Sequence, residues 1–131
     1  MSEIQELFDR QEITDVMHSY CRFVDLNLPE KQVECFTIDA IADYYGGVEL
    51  VGRDAILEML KKALTRFTAT CHTLSNIEIN FESSDMASSV SYVQAWHRKP
   101  QALKMIMKFG VNIMIAGQKR MKVGEFLIEN F

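Results

Sequence analysis

The chain has 131 residues, 48% of them hydrophobic and 24% charged, with a net charge of −4. That balance excludes disordered, collagenous and membrane-spanning classes and fits one soluble domain. At this length about two-thirds of the unfolded surface can be buried, enough for one core and a pocket but not for a second domain. Lys and Arg do not cluster, so nucleic acid is not an expected partner. No apolar run reaches the roughly 18 residues that cross a bilayer, and Met1-Ser2-Glu3 opens on an acid rather than a basic, signal-like stretch. A cytoplasmic protein with no membrane partner is expected. Cys21, Cys35 and Cys71 are odd in number and lack CxxC spacing, which predicts three free, buried thiols.

Ile4, Leu7, Phe8, Ile13, Val16, Met17, Tyr20, Phe23 and Val24 recur at helical spacing. Ser2 and Asp9 are each followed three residues later by Gln5 and Glu12, in the manner of a capping box. A long or kinked helix is expected to end near Asn27, with Pro29 starting a second one that runs to Phe36. Ile38 to Tyr45 predicts a strand, Gly46-Gly47 a turn and Val48 to Val51 its return. Gly52-Arg53-Asp54 then opens a third helix, expected to reach Phe67 with Ile56, Leu60, Ala63, Leu64 and Phe67 turned inward.

From Thr70 the pattern alternates, and Ser83-Ser84-Asp85 predicts the turn of a hairpin. With Ser84-Asp85 as a two-residue loop, Ile79 opposes Val90, Ile77 opposes Tyr92 and His72 opposes His97. One face then carries both histidines with Leu74, Val93 and Ala95. The other carries Ile77, Ile79, Phe81, Val90, Tyr92 and Trp96, so the ribbon needs a cover on each side, helices on one and a partner subunit on the other. Helices first and an antiparallel sheet last predict an α+β domain.

Two histidines on an otherwise apolar face have few structural reasons to be there. Asp25 closes the first helix, where the dipole disfavours an anion, so its carboxylate calls for a partner. Tyr20 lies on the inward helix face, and Tyr44-Tyr45 end a strand, so each can place a phenol in a cavity. The alternatives are ordinary core packing for the tyrosines and histidines and an exposed helix end for Asp25. His18 falls on the polar side of its helix and is given no role.

The layout Tyr20-x4-Asp25, Tyr44-Tyr45, Gly52-Arg53-Asp54-Ala55-Ile56, His72 followed by Asn76, and a strand ending at His97 resembles the SnoaL-like branch of the NTF2-like superfamily, over about residues 3–99. The resemblance implies three helices packed on a strongly curved, mostly antiparallel sheet that forms a cone-shaped pocket. It also implies a helix-borne Asp and a strand-borne His, as in scytalone dehydratase, bile-acid 7α-dehydratase and hexachlorocyclohexane dehydrochlorinase. Asp25 and His72 fall on those positions. His97 and Tyr44 match the scytalone enzyme and Tyr20 the bile-acid enzyme, whereas Val24 stands where the scytalone pattern has tyrosine. These residues suit an elimination or proton abstraction: Asp25 orients His72 as general base, a tyrosine polarises an oxygen, and His97 protonates departing hydroxide. No cofactor and no metal are expected, although two histidines and a carboxylate are also a metal-ligand set. The substrate would be a small hydrophobic cyclic or polyketide-like molecule. The alternative is a non-catalytic ligand-binding or assembly module, and in either case a homodimer or homotrimer through the sheet is expected.

The tail departs from this pattern. Residues 1–100 carry nine Lys/Arg against sixteen Asp/Glu, whereas residues 101–131 carry five against two, with four Met and no Trp, Tyr or Asp. Met and Lys codons are nearly fixed, so Lys104 to Gly110 can be back-translated and read one base earlier. The shifted frame permits Asp-Asp-Tyr-Glu-Ile-Trp-Gly, and continued to the end it permits a segment similar to the family's closing strands. A single domain over 1–131 is therefore expected, with about 104–131 atypical through a one-base frame change. As written, Leu103 to Ile115 still alternates like a strand, and Met121 to Phe131 like another.

Overall fold

The computed structural model describes residues 2–44 and 47–99 and the backbone of Met105–Phe109. Its elements are α1 (Glu3–Asp25), α2 (Pro29–Gln32), a 3-10 turn over Val33–Cys35, β1 (Ile41–Asp43), β2 (Glu49–Val51), α3 (Arg53–Leu64), β3 (Ala69–Phe81), β4 (Ala87–Arg98) and β5 (Met105–Phe109). The strands form a β1-β2 pair and a β3-β4-β5 sheet, all antiparallel. This is the expected α+β order.

The first helix is a single rod. The Ser2 side chain accepts from the Gln5 N–H at 3.2 Å, and Glu3 and Glu6 complement the dipole. Asp9 does not start a second helix; it accepts from Gln5 Nε2 at 3.0 Å within the first. At the other end Asn27 takes the left-handed conformation, φ 55°, while the N–H groups of Asn27 and Leu28 donate to Val24 O and Phe23 O. This is a Schellman stop with asparagine in the usual glycine place, and Pro29 follows as the first residue of α2. The inward stripe starts later than the periodicity suggests. Ile13 and Met17 are fully buried, but Ile4, Leu7 and Phe8 are exposed.

The predicted strand over Ile38 to Tyr45 shortens to β1. Its start is taken by a turn in which the Ala40 N–H donates to Thr37 O at 3.2 Å, and Tyr45 and Gly46 lie outside the described residues. The returning strand, expected over Val48 to Val51, is Glu49–Val51. Gly52 then sits at φ 87°, which favours glycine, and donates to Ala40 O at 2.8 Å. The Arg53 guanidinium donates to Phe36 O, tying the start of α3 to the 3-10 turn. α3 ends at Leu64, one turn short of the expected Phe67, and buries Ile56, Leu60 and Leu64.

The hairpin corrects the predicted register. His72 pairs with Ala95 and Thr70 with His97, while nearer the turn Ile79 pairs with Ser89 and Phe81 with Ala87. The turn is wider than two residues: the Glu82 N–H donates to Met86 O at 2.9 Å. Between Ser75 and Glu78 the register shifts at an irregularity where Asn76 has φ 52°. An extra residue there reverses the side-chain alternation of β3. Ile77, Ile79 and Phe81 therefore join Leu74 and Val93 on the core side, and the ribbon is not apolar on both faces as expected. Its outer face keeps Val90, Tyr92 and Trp96, all exposed. Cys71 pairs with Trp96 and is also exposed, so only Cys21 and Cys35 are the buried thiols expected.

The core joins Ile13 and Met17 of α1, Val33 and Phe36, Ile56 and Leu60 of α3, and Ile79, Ala87 and Val93 of the sheet. The inner row of β4 is mostly small, with Ala87, Ser89, Ser91 and Ala95 buried, and Ser89 Oγ reaches Met17 Sδ of α1 at 3.9 Å. Arg10 ties the same helix to β3, donating to Ile79 O at 2.7 Å with its guanidinium over the Phe81 ring. Among the described residues no helix is long and apolar enough to cross a membrane. The strand predicted around Met105 to Phe109 is β5, with Ala95 opposite Met107; the rest of the predicted tail strands lie outside the described residues.

Candidate active site

The last residue of α1 meets the first half of β3. Asp25 Oδ1 lies 2.7 Å from His72 Nδ1, and Asp25 Oδ2 accepts from the His72 backbone N–H at 2.9 Å. One residue thus engages both carboxylate oxygens, with its ring and with its main chain. A third donor, Thr70 Oγ1, reaches Asp25 Oδ1 at 2.9 Å. The partner that a helix-end carboxylate calls for is therefore supplied by the strand. The His72 side chain is only 7% exposed, against 27% for that of Asp25. With the carboxylate as acceptor, Nδ1 of His72 is the donor, and Nε2 is the basic nitrogen in the neutral form of the ring.

The two histidines are diagonal rather than direct neighbours across the ladder. Because the register is displaced by two residues, both still occupy one face, with ring centroids 5.3 Å apart in an edge-on arrangement. Phe67, just past α3, packs on the other side of His97 at 4.3 Å between centroids. Burial, helped by the neighbouring His72, pushes His97 down to about 4, so this imidazole is neutral near pH 7. Its Nδ1 makes no hydrogen bond among the described residues.

Tyr20 and Tyr44 come together as their separate places in the sequence did not reveal. Their hydroxyls lie 2.8 Å apart, one from the buried side of α1 and one from just beyond β1. Burial pushes the Tyr20 phenol well above its ordinary value, and the hydrogen bond with Tyr44 offsets part of that effect. In this pair one hydroxyl donates to the other. Cys21 and Cys35 are pushed up by burial to about 12 and about 11, so neither thiol supplies a nucleophile near neutrality. His18 is exposed on α1, as expected. Two participants were missed, Thr70 and Phe67. Thr70 had a usable signal, since it lies two residues before His72 and therefore on the same strand face. Phe67 was assigned to the inner stripe of α3, which stops before it.

The SnoaL-like domain family matches residues 5–123. The chain belongs to the SnoaL-like family. This match extends past residue 99, where the motifs that carry the resemblance end. No curated protein matches the chain. Among solved structures, this SnoaL-like chain is similar to a candidate scytalone dehydratase from Novosphingobium aromaticivorans, at 25% identity and a TM-score of 0.78, over 99% of this chain and 93% of that one. It is also similar to the hexachlorocyclohexane dehydrochlorinase LinA-type3 from Novosphingobium barchaimii, at 16% identity and a TM-score of 0.76, over 98% and 94%. A third is ActVI-ORFA from Streptomyces coelicolor, at 13% identity and a TM-score of 0.70, over 86% and 94%. The α+β fold of this SnoaL-like chain is the NTF2-like one.

Proposed function

We propose that this SnoaL-like protein is a cytoplasmic, cofactor-independent lyase or isomerase acting on a small hydrophobic cyclic or polyketide-like molecule. The observation that carries the reading is the engagement of both Asp25 oxygens by His72, at 2.7 and 2.9 Å, which makes Nε2 the unprotonated, basic nitrogen of the neutral ring. His72 Nε2 takes a proton from carbon beside a carbonyl, and Asp25 stabilises the imidazolium that forms. The Tyr20–Tyr44 pair donates to the oxygen that gains negative charge. In a dehydration the C–O bond then breaks, and hydroxide leaves as water with the proton held by His72. His97, neutral through burial, hydrogen-bonds the leaving oxygen instead of arriving as a cation. The dehydratase and dehydrochlorinase descriptions of the similar structures support an elimination of this kind.

The test is exchange of carbon-bound hydrogen for deuterium across a panel of cyclic hydroxy-ketones, followed by NMR. His72→Ala should lose about 10²–10⁴-fold in rate with its circular dichroism unchanged. Full exchange by a folded His72→Ala protein would overturn the reading. If the wild type exchanges nothing and His72→Ala instead loses stability, the histidine is structural and the protein is a binding or assembly module. The exposed Val90, Tyr92 and Trp96 on the outer face of the sheet further support a homodimer or homotrimer through that face.

A further inference from the structure

We propose that Thr70 is a positioning residue for the Asp25–His72 pair, holding the carboxylate so that the neutral His72 ring keeps its proton on Nδ1 rather than on Nε2. The inference rests on the pair acting as proposed above, but it concerns a residue that the reaction scheme does not use. Asp25 ends its helix with a side chain 27% exposed, so water competes for its lone pairs. A carboxylate can turn about its own Cβ–Cγ bond. Both contacts that oppose this turning so far come from a single residue, His72. Thr70 supplies an independent third: its hydroxyl donates to Oδ1 at 2.9 Å, on the same oxygen that receives the imidazole. The other acceptor beside it, Val24 O, is 3.4 Å away, so the shorter bond to the carboxylate is favoured.

Strand geometry explains why a residue two places from His72 can do this. Side chains at i and i+2 share a strand face. Thr70 and His72 therefore both face Asp25, and the hydroxyl fills the lone pair of Oδ1 that solvent would otherwise take. With Oδ1 and Oδ2 both occupied, rotation of the carboxylate breaks a bond to Thr70 as well as those to His72. A valine at this position keeps the shape and the strand preference and removes only the donor. A serine keeps the donor.

The experiment is nitrogen-15 NMR of the ring nitrogens in the whole protein, with no substrate present, for the wild type, Thr70→Val and Thr70→Ser. The wild type should show His72 protonated on Nδ1. Thr70→Val should shift the ratio of Nδ1–H to Nε2–H forms about tenfold toward Nε2–H, the effect of losing one hydrogen bond to a charged group. Thr70→Ser should restore the wild-type ratio, and the exposed His18 should not change in any variant. An unchanged ratio in Thr70→Val, a serine variant that behaves like the valine one, or a wild-type His72 protonated on Nε2 would each overturn the proposal. Should Thr70→Val not fold, Thr70→Ala compared with Thr70→Ser makes the same test. Failure of the lyase reading would appear elsewhere, as undiminished exchange by His72→Ala, and would leave these ratios untouched.

Discussion

Acid should cost this protein stability at one identifiable residue. His97 is 6% exposed, and burial beside His72 takes it from an ordinary value of 6.5 to about 4. Above pH 6.5 the group is neutral in folded and unfolded chains alike and contributes no pH dependence. Below 6.5 the unfolded chain binds the proton and the folded one does not, so stability falls as the pH drops. The fall continues until the folded group itself titrates near 4, and then it levels off. At about 1.4 kcal/mol per pH unit, the loss across that window is about 3 kcal/mol. That is a large share of the roughly 5–15 kcal/mol typical of a whole domain. Carboxylates also titrate near the lower end, so the wild type must be compared with His97→Gln. Urea unfolding of both proteins at intervals from pH 7.5 to 4 should show the wild type losing about 3 kcal/mol more than the variant. Parallel pH profiles would refute the reasoning, because a His97 that stays hydrated on folding has no reason to resist its proton.

Tyr44→Phe should lower turnover about 10²–10³-fold if its phenol answers charge on the substrate oxygen, and steady-state kinetics with a fold check will measure it. Retention of full turnover would remove the tyrosine pair from the mechanism. On the proposed interface through the outer sheet face, the wild type should run as a dimer or trimer, and Trp96→Lys combined with Tyr92→Lys as a monomer, in size-exclusion chromatography with light scattering. An unchanged mass would move the interface away from the outer sheet face. Sequencing the DNA that encodes residues 95–110 should return codons that permit the shifted reading of Lys104 to Gly110, in keeping with the proposal that about 104–131 reflects a one-base frame change in a single domain. Codons incompatible with it would make the tail an authentic, if unusual, part of the chain.

Helix positions were legible because a period of 3.6 survives local accidents. The register of the hairpin was not. Parity arguments assume an unbroken two-residue repeat, and Asn76 interrupts it with a left-handed residue, so the alternation that looked uniform from Thr70 to Phe81 changes phase in the middle. The histidines were nevertheless placed on one face, because a displacement by two residues preserves parity. That Asp25 would need a donor could be anticipated, because a carboxylate at a helix C-terminus is unfavourable without one, whereas His72 as that donor was implied by the resemblance to the SnoaL-like family. The 2.8 Å meeting of Tyr20 and Tyr44 could not be anticipated, since it joins residues 24 positions apart, on α1 and just past β1, through tertiary structure alone. The exposure of Ile4, Leu7 and Phe8 was likewise hidden, because periodicity reports which residues share a helix face and not how far along the rod the neighbouring sheet extends.

That rod also acts as a ruler. Tyr20 and Asp25 both belong to α1, which runs unbroken from Glu3 to Asp25, so they are separated along its axis by about 7.5 Å at 1.5 Å per residue. No hinge or loop intervenes that could change the distance. If the phenol and the dyad work on one molecule, the span between its polarised oxygen and its acidic hydrogen is measured against a rigid scale. New substrates of a different span would have to be met by changes on the strands, since inserting or deleting one residue between the two groups would rotate one about the helix axis by about 100° relative to the other.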